Sequence, residues 1–189
     1  MRQFIFLILC CISLMSCKTY IDIRQSSHFT DSYKFHFYND FNEFYYYSKV
    51  YGTSGKAIYY PNHFKIKLPK KIITWGASDN NFFFEYNSKQ IIWIKSAHEN
   101  SKEEKNWMIY DYCCDNIDKD RHFLWYWEER RYNSKYLSLK NTNRVSKKYS
   151  NGKIDIILFN IKEENITEYL ELVKSLKLIT YEKNGNGSN

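Results

Sequence analysis

Tyr33, Phe35 and Phe37 alternate with Lys34, His36 and Tyr38, the period-two signature of a strand with one buried face. Asn39-Asp40 follows as a turn signal. In the next stretch, FNEFYYYSKVY, three consecutive tyrosines outweigh the helical spacing of Phe41, Phe44 and Tyr45, and a second strand is expected. Residues 57–60 read as a short strand ended by Pro61. Phe64, Ile66 and Leu68 then alternate with Lys65 and Lys67 until Pro69 stops the pairing. Residues 82–86 and 91–95 flank Asn87-Ser88-Lys89-Gln90, which predicts a hairpin with a four-residue connection. Residues 144–149 and 153–159 flank Ser150-Asn151-Gly152, and Asn-Gly is the strongest short hairpin signal. The second of these strands, KIDIILF, has the near-continuous apolar character of a central strand.

The helical period appears in three places. Ser101-x-x-Glu104 has the form of a capping box and predicts a short helix, which residues 107–113 either continue or replace with a strand. Residues 118–131 carry Phe123, Leu124 and Trp127 at helical spacing. Ile166, Tyr169, Leu170, Val173 and Leu176 form one face of a C-terminal helix, with Glu164 and Glu168 early and Lys174 and Lys177 late, as the helix dipole favours. Hairpins followed by a covering helix predict an α+β fold: an antiparallel sheet built from hairpins, with the C-terminal amphipathic helix and one further helix packed on it. The run FKIKLPKKIITW, the FFFEY–IIWIK hairpin, the late strand and YLELVKSLKLI resemble the Mog1/PsbP-like arrangement over about 120 residues. That resemblance is one of pattern and implies a binding or accessory module.

The first twenty residues follow neither period. Met1-Arg2-Gln3 carries one positive charge, and residues 4–15 are apolar except for Ser13. As a helix this run spans about 18 Å, short of the roughly 30 Å a transmembrane helix needs, and it has the form of a secretory signal. Leu14-Met15-Ser16-Cys17 resembles the lipobox of bacterial lipoproteins. The resemblance implies cleavage between Ser16 and Cys17, a diacylglyceryl thioether on Cys17, and acylation of the new amino group. Lys18 stands where some lipoproteins carry an Asp that retains them at the inner membrane. The expected location is therefore the cell envelope, on the outer membrane facing the periplasm in a two-membrane host. The expected organisation is a signal peptide over 1–16, the lipidated Cys and a tether over 17–32, one domain over 33–181, and a tail over 182–189.

Composition adds limits. Removing residues 1–16 takes one Arg and leaves 173 of the 189 residues with a formal charge of +6, a size that suits one domain. The basic residues are spread out, with Lys65, Lys67, Lys70 and Lys71 the densest group, and a solvated basic face near anionic lipid is expected rather than a nucleic-acid site. Aromatics reach 19%, with 18 Tyr and 13 Phe, which favours strands. Cys113 and Cys114 are adjacent, a spacing that strains a disulfide, since their Cα atoms sit about 3.8 Å apart. His28, His36, His63, His98 and His122 lack ligand spacing, and neither GxSxG, a phosphate loop, HExxH nor paired CxxC occurs. Asp115, Asp118 and Asp120 lack the Gly and closing Glu of a calcium loop and read as an acidic helix cap. Glu128-Glu129 beside Arg130-Arg131 reads as solvated pairs. No catalytic residue, metal or cofactor is expected. Two functions remain: a non-catalytic envelope lipoprotein with a protein partner, an immunity protein being its specific form, or an envelope hydrolase or glycan-handling enzyme drawing on Glu85, Glu99, Asp111 or Glu128.

Overall fold

The computed structural model describes residues 32–47, 50–51, 57–58, 63–78, 80–96, 106–112, 120–137 and 143–179. The expected signal peptide, the expected tether before residue 32, the expected capping box at Ser101, Glu99, Cys113, Cys114, Asp115, Asp118 and the expected C-terminal tail lie outside them.

The fold is α+β, and its strands divide into two antiparallel sheets rather than one. The first sheet orders β1 (Ser32–Phe37), β2 (Asn42–Tyr47), β5 (Phe64–Leu68) and β12 (Lys177–Leu178) as β1-β2-β5-β12. The second contains β6 (Thr74–Ser78), β7 (Asn81–Tyr86), β8 (Gln90–Ser96), β9 (Met108–Asp111), β10 (Arg144–Ser150) and β11 (Ile154–Lys162), in the order β6-β7-β8-β11-β10-β9. A short ladder pairs β3 (Val50–Tyr51) with β4 (Ala57–Ile58). As KIDIILF implied, β11 has a neighbour on each side.

Alternation explains the layers. Phe44, Tyr46, Phe64, Ile66 and Leu68 point from the first sheet towards Phe82, Phe84, Ile92, Ile94, Ile156 and Leu158 of the second, forming one core. Helix α2 (Ile166–Val173) closes that core with Tyr169 and Val173. The opposite face of the second sheet presents Phe83, Ile91, Trp93, Ile157 and Phe159, and α1 (Arg121–Glu129) covers them with Phe123, Tyr126 and Trp127. In β7, both Phe82 and Phe83 are buried because both faces are covered, whereas β5 keeps a buried-intermediate alternation.

Two hairpins set the register. Gln90 already pairs with Tyr86, so the first connection is three residues, not four. Ser88 and Lys89 take positive φ of 60° and 57°, and Asn160 Nδ2 holds their carbonyls at 3.1 and 3.0 Å. Asn160 itself has φ 54° beside the β10–β11 register shift, where one strand bulges against the other. In the second hairpin Asn151 N–H donates to the Ile154 carbonyl at 3.2 Å. Gly152 and Lys153 are thus the two turn residues. Gly152 has φ 78°, at the first central position that a type II′ turn reserves for glycine.

Candidate functional site

α1 covers the β6–β7–β8–β11 part of the second sheet's outer face, and among the described residues no helix covers the β9–β10 end. Register and period two define what lies there. Tyr110, Lys148, Ile157 and Trp93 stand opposite one another across β9, β10, β11 and β8. Two residues along, Met108, Ser150, Asp155 and Lys95 form the next row. Side chains two apart share a face, so an apolar row and a polar row adjoin. Apart from Met108, they line with Tyr112, Asp120 and Gly152 an open hollow of about 580 Å³, a volume within the range of ligand sites.

Its charges are paired. Lys148 Nζ lies 2.9 Å from Asp155 Oδ2, and Ser150 Oγ donates to Asp155 Oδ1. Lys95 Nζ donates to Asp120 Oδ2 at 2.7 Å. Asp120 also accepts from the His122 N–H at 3.0 Å as the N-cap of α1, the role its position in the sequence suggested. Tyr112 is pushed up to about 12 by burial and by the charges of Asp120 and Asp155, so its hydroxyl stays protonated and available as a donor. Each lysine–aspartate pair thereby offers donors and acceptors side by side. The hollow can present several hydrogen-bonding groups at once without leaving an unpaired charge.

Of the four carboxylates singled out in the sequence, Glu99 lies outside the described residues and the other three do not converge. Asp111 lines the rim of the hollow, with Lys147 as its ion-pair partner on the other face of β9. Glu128 is exposed on α1. Glu85 is buried on β7 beneath α1, where it accepts hydrogen bonds from Tyr126 Oη and Arg130 Nε, both at 3.0 Å, and from Tyr132 Oη. Burial and the Glu85 carboxylate raise both Tyr126 and Tyr132 above the ordinary phenol value. This cluster fastens α1 to the sheet. Arg130, expected to be solvated beside Glu128 and Glu129, turns inwards to join it. Of the histidines, His36 sits on a strand face against Tyr45, His63 is buried, and His122 begins α1. Among the described residues no three His, Cys, Asp or Glu side chains gather as a metal site.

Sequence reasoning passed over Lys95, Lys148 and Asp155. Asp155 carried a readable signal as the only charge within IDIILF. A carboxylate there must face a polar environment on one side of the sheet. No protein-family model matches the chain, nor does any curated protein or solved structure.

Proposed function

We propose that this chain is a lipid-anchored protein of the bacterial envelope that acts as a non-catalytic binding module, with the hollow on the second sheet as its binding site and an envelope protein as its partner. The observation that carries the binding part is the pairing inside the hollow. Asp120 and Asp155 are each held by a lysine, which suits recognition by donor–acceptor pairs better than proton transfer. The motif LMSC at residues 14–17 supports the anchor. Neutralising a toxin that reaches the envelope is the specific form of this role that fits a small, anchored domain.

Two experiments test the two parts. Metabolic labelling with a radioactive fatty acid should mark the wild type and leave Cys17→Ala unlabelled and uncleaved; equal labelling of the variant refutes the anchor. A photo-crosslinker at Tyr110 in intact cells should yield a species of defined mass that disappears in Lys148→Ala/Asp155→Ala. A crosslink indifferent to that pair removes the hollow from the binding reading.

A second reading, an envelope hydrolase or glycan-handling enzyme, draws on Asp120 and Asp155 in the hollow, with Asp111 at its rim. Turnover of a peptidoglycan fragment that vanishes in both Asp120→Asn and Asp155→Asn would favour it.

A further inference from the structure

The two outer faces of the molecule differ in charge. On the second sheet, the hollow balances Lys95 and Lys148 against Asp120 and Asp155. On the first sheet, register lines up Lys34, Tyr45, Lys65 and Lys177 in one row across β1, β2, β5 and β12. The next row holds His36, Glu43 and Lys67. All seven lie on the side away from the core, since Phe44, Tyr46, Phe64 and Ile66 occupy the alternate positions. Glu43 is the one carboxylate among them, and it already accepts from Tyr45 Oη at 2.6 Å and sits 4.0 Å from Lys65.

A wet outer face on an antiparallel sheet is ordinary. The pattern of its charges is less so. Lys65 and Lys177 are directly opposed Cα partners, and like charges facing each other across a ladder destabilise it. Aromatic side chains lie beneath the ammonium groups, with Lys65 Nζ 5.8 Å from the Tyr45 ring and Lys67 Nζ 4.3 Å from that of Phe41. Just beyond the end of β1, Tyr38 is exposed at 46%, and the Tyr38 and Phe41 rings are 4.8 Å apart. Lys70 caps this turn by donating to the Tyr38 and Asn39 carbonyls at 2.6 and 2.9 Å. Lysines over aromatics, with an aromatic tip at one end, match a surface of anionic headgroups above an apolar interior.

We infer that the outer face of the first sheet rests on anionic phospholipid, through Lys34, Lys65, Lys67 and Lys177 on the headgroups and Tyr38 and Phe41 at the interface. The face lies on β1, the first described strand, and about 15 residues separate Cys17 from it, a reach of roughly 50 Å when extended. The two sheets stack core to core, so contact on this side turns the hollow towards the aqueous side. That orientation rests on the anchor proposed above; the affinity of the face for lipid does not.

Among the described residues both cores draw on positions 33–178, so residues 18–189 keep every described contact and can be assayed without the lipid. Sedimentation with phosphatidylcholine vesicles, with and without phosphatidylglycerol, tests the inference. Binding is expected only with phosphatidylglycerol and should weaken steeply between low and high salt. Each lysine at such a surface contributes about a fivefold gain. Lys34→Gln/Lys65→Gln/Lys67→Gln/Lys177→Gln should therefore bind about a hundredfold or more weaker, while Lys95→Gln/Lys148→Gln binds as the wild type. Circular dichroism checks that the quadruple variant is folded; if it is not, Lys65→Gln/Lys67→Gln, expected to lose about 25-fold, takes its place. Equal binding to neutral vesicles, full binding by the quadruple variant, or an equal loss in the hollow variant overturns the inference. So does displacement of the protein from vesicles by a trace of soluble polyanion. Loss of labelling at Cys17 tests a different claim, so the two failures are distinct.

Discussion

Replacing Glu85 should cost several times the stability lost in an exposed substitution on the second sheet. Its side chain is 4% exposed and takes three hydrogen bonds, one from Arg130 and two from tyrosine hydroxyls. Hydrogen bonds to a charged group contribute about 1.5–3 kcal/mol each, so a plain sum would reach about 5–9 kcal/mol. That sum is too large. The Arg130 side chain is 34% exposed and can recover water when its partner goes, which discounts its share. Tyr126 is buried and cannot, and Tyr132 recovers water only in part. Glu85→Ala should therefore cost about 3–5 kcal/mol, the range found when one partner of a buried pair is removed. Glu85→Gln keeps one acceptor oxygen but sets an NH₂ against the remaining donors, and about 1–2 kcal/mol is expected. Urea unfolding followed by tryptophan fluorescence measures both, since Trp127 lies on α1 and Trp93 beneath it. A double-mutant cycle with Tyr132→Phe should give a coupling above about 0.5 kcal/mol. If Glu85→Ala loses no more than about 0.5 kcal/mol, the scale of an exposed substitution, the cluster does not fasten the helix.

Tyr86 is fully buried and its hydroxyl finds no partner among the described residues, so Tyr86→Phe should raise stability by about 1 kcal/mol; a loss in urea unfolding would mean that the hydroxyl is bonded. Gly152→Ala forces a Cβ onto a backbone at φ 78° and should cost about 1–2 kcal/mol, read as a lower unfolding midpoint, whereas Lys153→Ala at the other turn position should cost little. Burial first, and nearby carboxylates second, push Tyr112 and Tyr169 up to about 12. Each keeps its proton in the fold at pH values where the unfolded chain releases it, so stability should hold below pH 10 and fall as pH rises towards 12. Tyr169→Phe should flatten that fall; an unchanged alkaline profile would place the ring outside the core.

Alternation located β1 and β5, the tyrosine run β2, and two turn signals the hairpins β7–β8 and β10–β11, because each of these is a local property of the chain. None of these signals could say which strands share a sheet. Leu68 and Thr74 are six residues apart yet belong to different layers, and nothing in FKIKLPKKIITW marks that crossing beyond Pro69. The same limit explains the candidate residues. Glu85 sits in the outward row of β7 with Phe83, and its fate depends on α1, which begins 36 residues later at Arg121. A carboxylate between Phe84 and Tyr86 reads locally as a solvent-facing strand position. Only the arrival of Tyr126, Arg130 and Tyr132 makes it a buried pin. For the helix itself, Phe123 and Trp127 were legible, but the third buried position is Tyr126 rather than Leu124, because i, i+3 and i+4 lie on one stripe while i+1 turns away.

Burial and register together also separate the two kinds of lysine in this chain. Lys95 and Lys148 lie on strands whose outer row includes or faces an aspartate, so their charges are spent within the fold. Lys34, Lys65 and Lys177 share a row with Tyr45, and Glu43 in the next row, 4.0 Å from Lys65, offsets one of the three charges and leaves an excess. A formal excess of +7 over the whole chain hides this difference, because composition counts charges and not faces. Strand order decides it. With β12 at the edge beside β5, Lys177 is placed opposite Lys65 rather than beside the acidic residues of α2, and the repulsion is left for something outside the domain to relieve. A bilayer reached through a tether at Cys17 would supply that counter-charge on one side while leaving the hollow open on the other.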